Sequence, residues 1–387
     1  MYTVKTLNHI SPVGLLRLPS DYFTVDAKME NPAAVLVRSA NMHEMQFNEE
    51  LLCVARAGAG VNNIPIDQCT EKGVVVFNTP GANANAVKEL VICSLLLSSR
   101  DVVGGISWAR GLTGDDVPGQ VEKGKSSFTG PEVYGKTLGI IGVGAIGVKI
   151  ANAADALGMD VLGYDNNMSV NNALELSRSV RLAYNINQVF AESDYLTLHV
   201  PLNKETKELF ADMLSQVKVG VRIINTARGG LIETDALLAA LDNGTVSCYV
   251  TDFPDEKMLN HPNIIPIPHL GASTPESEDN CARMAVDQLA DYLRYGNITN
   301  SVNFPDVDLP PIKGLRLCVI HRNLPNIISE ITAAMGEAGI NIENMASKSK
   351  KDMAYTILDL TGGTPGSGTL DRLRGHEHII RLRVLKA

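Results

Sequence analysis

Residues 136–165 read KTLGIIGVGAIGVKIANAADALGMDVLGYD, and this stretch decides the fold. The run TLGII has the composition of a buried strand and leads directly into a G-x-G-x-x-G loop. A helical run follows the loop, and a second apolar run, DVLGY, ends at Asp165. Strand, glycine-rich loop, helix and strand form one βαβ unit, which predicts a parallel sheet carrying a dinucleotide-binding loop.

The three glycines of this loop have separate predicted roles. Gly142 permits the tight turn, Gly144 lets a pyrophosphate approach the backbone, and Gly147 permits close packing of the helix on the strand. The pyrophosphate would rest on the helix N-terminus, where free N–H groups and the helix dipole favour an anion. Asp165, 18 residues beyond Gly147, would bind the adenosine ribose hydroxyls and repel a 2′-phosphate. Because residues 166–167 add no arginine, the sequence predicts NAD and not NADP as the cofactor.

Bulk composition limits the class of protein. The chain has 387 residues, enough for two or three domains, and its net charge of −9 argues against a nucleic-acid partner. No apolar run approaches the roughly 18–20 residues of a membrane span, and the N-terminus lacks the pattern of a signal peptide. Six scattered cysteines without a CxxC pair indicate reduced thiols, with neither a disulfide framework nor a metal site. We therefore expect a soluble cytoplasmic protein that binds no metal, membrane or nucleic acid.

The glycine-rich loop comes late in the chain, so a sizeable unit precedes it. Residues 1–98 alternate short apolar runs with helical stretches, which is typical of a parallel sheet. The stretch 83–111 predicts one long helix, broken or ended near Gly104–Gly105. Strands and helices alternate again after Lys136, and an amphipathic helix is expected over 276–296.

A proline-rich linker, NFPDVDLPPIKG, separates this region from a last unit that begins at Leu315. The order of apolar and helical runs in that unit is strand, helix, strand, strand, helix, strand. This order predicts a ferredoxin-like βαββαβ module, which together with the linker would occupy residues 306–387.

Three polar side chains follow predicted strands of the middle region. Arg228 lies in NTARGGLIE, Glu256 in TDFPDEK and His269 in PHLGAST. In open α/β sheets the carboxyl ends of the strands hold the ligand. Histidine suits proton transfer near neutral pH, a carboxylate can orient it, and an arginine fork matches a substrate carboxylate. The combination predicts oxidation of a hydroxy acid. Taken singly, the simpler alternatives are a surface ion pair for Arg228, a solvated loop charge for Glu256 and a helix cap for His269.

At these residues the chain resembles the D-isomer-specific 2-hydroxyacid dehydrogenases. The resemblance covers nearly the whole chain and rests on the motifs RAGAGVNNIPID (56–67), NTPGAN (78–83), GKTLGIIGVGAIG (135–147), HVPLNKETKELF (199–210), NTARGGLI (225–232), DFPDE (252–256) and PHLGAST (268–274). It implies two doubly wound, Rossmann- or flavodoxin-like parallel-sheet domains with an active-site cleft between them. The substrate-binding domain would comprise residues 1–98 and 280–305, and the NAD-binding domain residues 99–279.

The same resemblance implies roles for single residues. Arg228 would bind the substrate carboxylate, Glu256 would support the histidine, and His269 would be the catalytic acid/base. The 13-residue interval from Glu256 to His269 is shorter than is usual in the family. The implied cofactor contacts are Gly142, Gly144, Ala145, Ile146, Gly147, Asp165, His199, Val200, Pro201, Thr206, Thr226, Ala227, Asp252, Gly271 and Ala272. The implied substrate contacts are Arg38, Ser39, Arg56, Ala59, Gly60, Arg228 and His269.

Two arginines bear on the choice of substrate. Arg38 and Arg56 each follow a predicted strand of the N-terminal half, and two cations suit a substrate with a distal phosphate. Ordinary surface arginines are the alternative. The resemblance extends to the family members that oxidise 3-phospho-D-glycerate to 3-phosphohydroxypyruvate, the first step of serine synthesis. The competing hypotheses are a hydroxypyruvate/glyoxylate reductase, an erythronate-4-phosphate dehydrogenase and an NAD-sensing corepressor-like scaffold.

The C-terminal stretch HRNLPNIISEITAAMGEAGINIENM (321–345) resembles an ACT domain, a small-molecule sensor. The resemblance implies serine as an effector bound by His321, Asn323 and Asn341; a purely structural dimerisation element is the alternative. Asn326 departs from the pattern, which has glycine after the proline, and its side chain would narrow the ligand pocket. The family resemblance also implies a homodimer or homotetramer.

Overall fold

The computed structural model describes residues 1–386, apart from the side chains at positions 208, 209 and 211. The chain divides into two compact units, one made of residues 1–82 together with 278 onward, the other of residues 83–277. The C-terminal module therefore groups with the N-terminal sheet in the first unit.

The first 82 residues form a five-stranded parallel sheet in the order β2-β1-β3-β4-β5. Its elements are β1 (Tyr2–Thr6), α1 (Pro12–Leu15), β2 (Phe23–Val25), β3 (Ala34–Val37), β4 (Cys53–Arg56), α2 (Ile66–Glu71) and β5 (Val75–Phe77). Every residue of β3 and β5 is buried, as continuous apolar runs predict for strands covered on both faces. The order is that of flavodoxin-like sheets.

The second unit is built on a seven-stranded parallel sheet in the order β12-β11-β10-β9-β6-β7-β8. Its elements are α3 (Ala84–Ser99), α4 (Val102–Arg110), α5 (Val117–Gly124), β6 (Thr137–Ile141), α6 (Ala145–Ala156), β7 (Asp160–Tyr164), α7 (Val170–Glu175), β8 (Arg181–Leu182), α8 (Ile186–Glu192), β9 (Tyr195–Leu198), α9 (Lys204–Ala211), β10 (Val221–Asn225), α10 (Thr234–Asp242), β11 (Val246–Thr251) and β12 (Ile264–Pro266). The strand order reverses at β6, which lies between β7 and β9, and this switch point is where Rossmann-type sheets bind dinucleotides. The expected parallel sheets are confirmed.

The predicted break in the helix after residue 83 lies earlier than Gly104–Gly105. Arg100 is extended, and the Asp101 carboxylate accepts a hydrogen bond from the Gly104 N–H at 2.8 Å, so α4 starts before the glycines. The prediction was wrong because an aspartate cap, and not glycine flexibility, separates the two helices. Within the described residues no single helix is long and apolar enough to cross a membrane; only α3 and α4 together, bent by 72°, reach that length and composition.

The remaining elements are α11 (Pro275–Tyr295), β13 (Leu315–Arg322), α12 (Ile327–Glu337), β14 (Asn341–Lys350), β15 (Met353–Thr361), α13 (Ser367–Arg374) and β16 (Ile379–Lys386). Helix α11 ends at Tyr295, within one residue of the predicted end at Gly296, which has a φ of 75°. The last four strands form an antiparallel sheet in the order β14-β15-β13-β16, which confirms the βαββαβ order.

The C-terminal sheet packs on the rest of the first unit. Tyr355 shares one hydrophobic cluster with Phe77 and Tyr292, and its hydroxyl donates to the Gly296 carbonyl at 2.6 Å. Arg316, fully buried, donates to Asp359 at 2.7 Å and to backbone carbonyls at the end of α11 and in the linker. A buried arginine is tolerated only when its donors are satisfied, so these contacts fix the linker to the sheet.

Candidate active site

The dinucleotide loop connects β6 to α6, and its glycines differ in their surroundings. Gly142 has a φ of 95°, and a Cβ there would lie 2.5 Å from the His199 carbonyl oxygen. A Cβ at Gly147 would lie 2.2 Å from the Gly142 carbonyl oxygen. At Gly144, by contrast, no atom of the described chain comes within 4 Å of that position. Gly142 and Gly147 therefore serve the fold, while the open side of Gly144 leaves room for a phosphate group at the N-terminus of α6.

Asp165 follows the last residue of β7 and is partly exposed. One carboxylate oxygen accepts a hydrogen bond from the Asn167 N–H at 2.8 Å, which orients the side chain. The other oxygen has no protein donor within the described residues, so it can accept hydrogen bonds from a ribose hydroxyl.

The segment after β9 is ordered by its own side chains. His199 Nε2 lies 2.8 Å from the Thr197 hydroxyl, and burial lowers the pKa of His199 to about 3, so its ring is neutral. The Thr206 hydroxyl donates to the Pro201 carbonyl at 2.7 Å and caps α9 together with Asn203. These contacts hold Val200 and Pro201 at the carboxyl end of β9, next to the glycine loop. This is the position expected of residues that line a cofactor groove.

Asn225, at the end of β10, organises the loop that contains Thr226, Ala227 and Arg228. Its amide oxygen accepts from the Ala227 N–H at 3.1 Å, and its amide nitrogen donates to the Arg228 carbonyl at 2.9 Å. The Arg228 guanidinium donates to the Ala227 carbonyl at 2.6 Å. The hydroxyl of Thr226 is buried and has no partner in the described chain. The motif NTARGG contains Asn225, but its positioning role is visible only in the structure.

Asp252, just past the end of β11, is 2% exposed, and neither carboxylate oxygen has a hydrogen-bond partner among the described residues. A Cβ on Gly271 would lie 3.6 Å from one of these oxygens, so the absence of a side chain there leaves space beside the carboxylate. Burial raises the pKa of the Asp252 carboxyl; the His269 charge, the N–H groups of Asp252 and Gly271 and the Arg228 charge act in the opposite direction. These N–H groups do not reach hydrogen-bonding geometry. A buried carboxylate without hydrogen bonds is costly, and a ligand that brings N–H groups would relieve that cost.

His269 is exposed and its ring lies against Phe253, with 4.4 Å between the ring centroids and 48° between the planes. Glu256 begins a short 3-10 helix (Glu256–Met258), is exposed, and makes no hydrogen bond or ion pair with His269 in the described part of the chain. The carboxylate that acts electrostatically on His269 is Asp252. The structure thus brings Asp252, Arg228 and His269 together but leaves Glu256 apart. The separation of Glu256 agrees with the short interval between Glu256 and His269 in the sequence.

In the first unit, Arg38 and Ser39 follow β3. The Asn8 side-chain oxygen accepts from three successive N–H groups, those of Arg38, Ser39 and Ala40, at 3.2, 3.1 and 2.8 Å. The Arg38 guanidinium forms an ion pair with Glu278 at 2.7 Å. Neither Asn8 nor Glu278 was identified from the sequence, and Glu278 already compensates the Arg38 charge.

Arg56 ends β4, whose register pairs it with Val37, so Arg38 and Arg56 lie at the same carboxyl edge of the sheet. The Asn78 amide donates to the Ala59 carbonyl at 2.6 Å and fixes the loop that follows. The N–H groups of Ala59 and Gly60 donate to no atom of the described chain. They are therefore available to an anion at this edge.

His321 in β13 is 2% exposed, and both ring nitrogens have partners. Its Nδ1 donates to the Arg322 carbonyl at 2.8 Å, so its Nε2 accepts from the Thr356 hydroxyl at 2.9 Å. Burial lowers the pKa of His321. Asn326 has a φ of 70°, a left-handed conformation that asparagine adopts more readily than most residues, which accounts for asparagine where glycine is usual.

Asn323 and Asn341 are both exposed but lie at opposite ends of the C-terminal sheet. The Asn323 amide donates to the Lys351 carbonyl at 3.3 Å, beside the β14–β15 turn, whereas Asn341 pairs with Thr361 at the far end of β15. At about 3.4 Å per residue, the length of β15 separates them by roughly 25 Å. One copy of the chain does not bring the two amides together.

Comparison with known proteins defines the class. Residues 106–271 match the model of the D-isomer specific 2-hydroxyacid dehydrogenase NAD binding domain. The chain is 32% identical over 352 residues to D-3-phosphoglycerate dehydrogenase of Haemophilus influenzae, covering 87% of this chain and 82% of that protein. The chain therefore belongs to the D-isomer specific 2-hydroxyacid dehydrogenases, a family of NAD-dependent oxidoreductases, and NAD is its cofactor.

Two further comparisons describe how far this chain resembles individual relatives. D-3-phosphoglycerate dehydrogenase of Bacillus subtilis is 36% identical over 282 residues, which is 70% of this chain and 51% of that protein. The chain thus spans about half the length of some curated relatives that it matches. The solved structure of TT0316 protein from Thermus thermophilus is similar in fold, with a TM-score of 0.63 and 26% identity over 78% of this chain and 99% of that one.

Proposed function

We propose that this protein oxidises 3-phospho-D-glycerate to 3-phosphohydroxypyruvate with NAD, the first step of serine synthesis. The observation that carries the proposal is the buried Asp252 carboxylate, which has no hydrogen-bond partner among the described residues and interacts electrostatically with His269 and Arg228. The carboxamide of a nicotinamide offers the N–H donors that Asp252 lacks. The Thr226 hydroxyl, which has no partner in the part of the chain that the structure describes, and the open side of Gly144 fit the remainder of a dinucleotide.

The chemistry assigned to the side chains follows from their types. When bound, NAD supplies the acceptor for the hydride that leaves C2 of the substrate. The His269 imidazole takes the hydroxyl proton, and the Asp252 charge stabilises the resulting imidazolium. The Arg228 guanidinium binds the substrate carboxylate and polarises the forming carbonyl. Support of His269 by Glu256 stays a prediction, which requires Glu256 to move from its exposed place.

A phosphorylated substrate is supported by two observations of different kinds. Arg38 and Arg56 lie at one edge of the first sheet, with the N–H groups of Ala59 and Gly60 at the same edge. Both curated relatives described above carry the name D-3-phosphoglycerate dehydrogenase. Charge-assisted hydrogen bonds from arginine are the strong contacts that phosphate recognition uses.

The test is the initial rate of NADH formation from 3-phospho-D-glycerate for wild type, Arg228→Gln and Arg56→Gln. Loss of one charged hydrogen-bond partner costs about 1.5–3 kcal/mol, so each variant should lose roughly 10- to 150-fold in kcat/KM. Arg56→Gln should leave the rate with unphosphorylated D-glycerate nearly unchanged, while Arg228→Gln should lower both. Equal losses of kcat/KM on both substrates in Arg56→Gln would show that Arg56 does not bind the phosphate group.

One observation favours a second candidate, a reductase of unphosphorylated 2-oxo acids such as hydroxypyruvate or glyoxylate. The Arg38–Glu278 ion pair reduces the positive charge offered to a phosphate. An enzyme of this kind would reduce hydroxypyruvate with NADH faster than 3-phosphohydroxypyruvate. A direct comparison of the two 2-oxo acids distinguishes the candidates.

We further propose that the C-terminal module is an ACT domain that binds serine. The amides of Asn323 and Asn341 suit the carboxylate and ammonium groups of an amino acid, and their separation in one chain means that two modules would share each ligand. His321 would take part only after its hydrogen bond to Thr356 opens. We expect serine to lower activity and Asn341→Ala to abolish that effect without changing uninhibited kcat; serine-insensitive wild-type enzyme would leave a structural role only.

Assembly into a homodimer or homotetramer is supported by α4 and α5, in which no residue is buried. Val102, Val103 and Ile106 of α4 are each more than 40% exposed, an unusual density of apolar side chains on one short helix. We expect Ile106→Lys to shift the species seen by analytical ultracentrifugation towards monomer. Wild-type protein that sediments as a monomer would contradict the proposal.

A cytoplasmic location is supported by the thiols. All six cysteines are free, and four of them are buried. Reduced cysteines persist in a reducing compartment. Recovery of activity in the cytoplasmic fraction of the source cells tests this assignment.

A further inference from the structure

A cavity of about 660 Å³ lies between the last strand of the C-terminal sheet and the N-terminal sheet, within the first unit. Four of its lining residues are cationic, namely Lys72, Arg374, Arg381 and Arg383, and one, Glu49, is anionic. This excess of positive charge stands out in a chain whose net charge is −9.

Lys72, Arg381 and Arg383 are held by carbonyl groups, which accept their hydrogen bonds but do not neutralise their charge. Arg374 instead pairs with Asp371 at 3.1 Å. Arg381 donates to the carbonyls of Leu51 and Lys72 at 2.8 and 3.0 Å. Arg383 donates to two carbonyls in the last turn of α11, at 3.2 and 2.8 Å. In the described chain no carboxylate lies within ion-pair distance of Lys72, Arg381 or Arg383. Burial is the main cause that lowers the pKa of Arg381, and the Arg383 charge acts in the same direction.

One glycine lets strand β16 lie close to the N-terminal sheet. Gly73 follows α2 with a φ of 65°, and a Cβ there would lie 3.1 Å from Arg381 Cβ and 3.1 Å from Ile380 Cγ2. Only glycine accommodates both the left-handed backbone and the adjacent strand. Gly73 thus lets β16 approach the N-terminal sheet and places its arginines at the cavity.

The cavity is separate from the proposed substrate contacts. Arg38 and Arg56 lie at the carboxyl ends of β3 and β4, whereas Leu52 and Lys72 precede β4 and β5. Because all these strands are parallel, the cavity lies at the amino-terminal edge of the sheet and the substrate residues at the opposite edge.

We infer that this cavity binds a small polyanion, a metabolite with two or more phosphate or carboxylate groups. Guanidinium and ammonium groups with spare charge in a partly enclosed site form strong hydrogen bonds to such groups. Since Arg381 and Arg383 also anchor β16 to the N-terminal sheet and α11, the bound anion stabilises the docked C-terminal module. The site is a ligand-binding element distinct from both the active site and the serine site.

Isothermal titration of the full chain with two probes, inorganic pyrophosphate and citrate, tests the inference. The titrations are run at constant ionic strength with saturating NADH, which fills the dinucleotide loop. The test variant is Lys72→Gln/Arg374→Gln, because neither side chain anchors β16: Arg381 contacts only the backbone carbonyl of Lys72, which the substitution keeps. Arg372→Gln is the matched control: Arg372 lies on the same helix as Arg374, is similarly exposed and paired with a carboxylate, but does not line the cavity. Arg38→Gln/Arg56→Gln removes the substrate-side cations.

We expect saturable binding of at least one probe to wild type, weakened about 10- to 150-fold in Lys72→Gln/Arg374→Gln. The Arg372→Gln control and Arg38→Gln/Arg56→Gln should bind as wild type does. Binding of only one probe would support the inference and assign the site to phosphate or to carboxylate ligands. No saturable heat with either probe, equal affinity in Lys72→Gln/Arg374→Gln, or loss in Arg38→Gln/Arg56→Gln would overturn it.

Discussion

The His269 ring packs on the Phe253 ring, with their centroids 4.4 Å apart. This contact holds a histidine that is otherwise exposed and has no carboxylate hydrogen-bonded to it in the described chain. The tilted ring contact restricts the ring orientation, and the His269 charge acts electrostatically on the buried Asp252 carboxylate. If His269 is the proposed acid/base, its proton transfer depends on an aromatic neighbour and a carboxylate that both belong to the DFPDE motif (252–256).

Removal of the imidazole should abolish turnover but spare cofactor binding. A positioned general base contributes roughly 100- to 10,000-fold, so His269→Ala should lose that factor in kcat. NADH affinity, measured by fluorescence titration, should change little. His261→Ala removes another histidine of the same unit and should keep wild-type kcat; a His269→Ala enzyme with wild-type turnover would refute the catalytic assignment.

Asp252→Asn should stabilise the protein without cofactor and weaken NADH binding. Burial raises the folded-state pKa of Asp252 above its unfolded value of about 3.9, so the contribution of the Asp252 carboxyl to stability is greatest below that unfolded value. The contribution is lost as pH rises through the raised folded pKa, and the charged carboxylate destabilises the fold at neutral pH. The variant should therefore have the higher Tm at pH 7, with a smaller difference in acid. The exposed Asp160→Asn is the control, and an unchanged or lower Tm in Asp252→Asn would contradict the account.

Asp165 should determine the choice between NAD and NADP. Asp165→Asn keeps an acceptor for the Asn167 N–H but removes the charge that binds the ribose and repels a 2′-phosphate. Loss of hydrogen bonds to a charged group should weaken NAD use by roughly 10- to 150-fold. The ratio of kcat/KM for the two cofactors measures the effect, with Asp160→Asn at the other end of β7 as control. Wild-type enzyme that used NADP as well as NAD would contradict this role.

Glu278→Gln should improve the use of a phosphorylated substrate, because it frees the Arg38 guanidinium. Partly exposed ion pairs are worth about 0.2–1 kcal/mol, so KM for 3-phospho-D-glycerate should fall by roughly 1.5- to 5-fold. The KM for D-glycerate should stay constant. Glu276→Gln, on the same helix, should change neither value. A higher KM in Glu278→Gln would show that Glu278 positions Arg38 for the phosphate and does not compete with it.

The features that sequence predicts well are local. The glycine loop, Asp165 and the strand-end residues Arg228 and His269 depend on short-range geometry, since a turn, a helix N-terminus and a strand end are each specified within a few residues. The two parallel sheets and the βαββαβ order also follow from alternating apolar patterns. By the same reasoning, the end of α11 at Gly296 was predictable.

The features that sequence does not predict join distant residues. Glu278 pairs with Arg38 across 240 positions, and nothing near either residue signals the pair. The isolation of Asp252 appears only when β11 and the loop at Gly271 are placed side by side. Likewise, the contacts of Arg381 with Leu51 and Lys72 depend on how the C-terminal sheet packs, which no local pattern specifies.

Initial rates of NADH formation across a panel of 2-hydroxy acids test the central claim most directly. The panel contains 3-phospho-D-glycerate, D-glycerate, D-lactate and 4-phospho-D-erythronate, each at saturating NAD. The account predicts that 3-phospho-D-glycerate has the highest kcat/KM and exceeds D-glycerate by roughly 10-fold or more, the value of one charged hydrogen bond. Equal or faster turnover of D-glycerate, or no NADH from any phosphorylated acid, would contradict it.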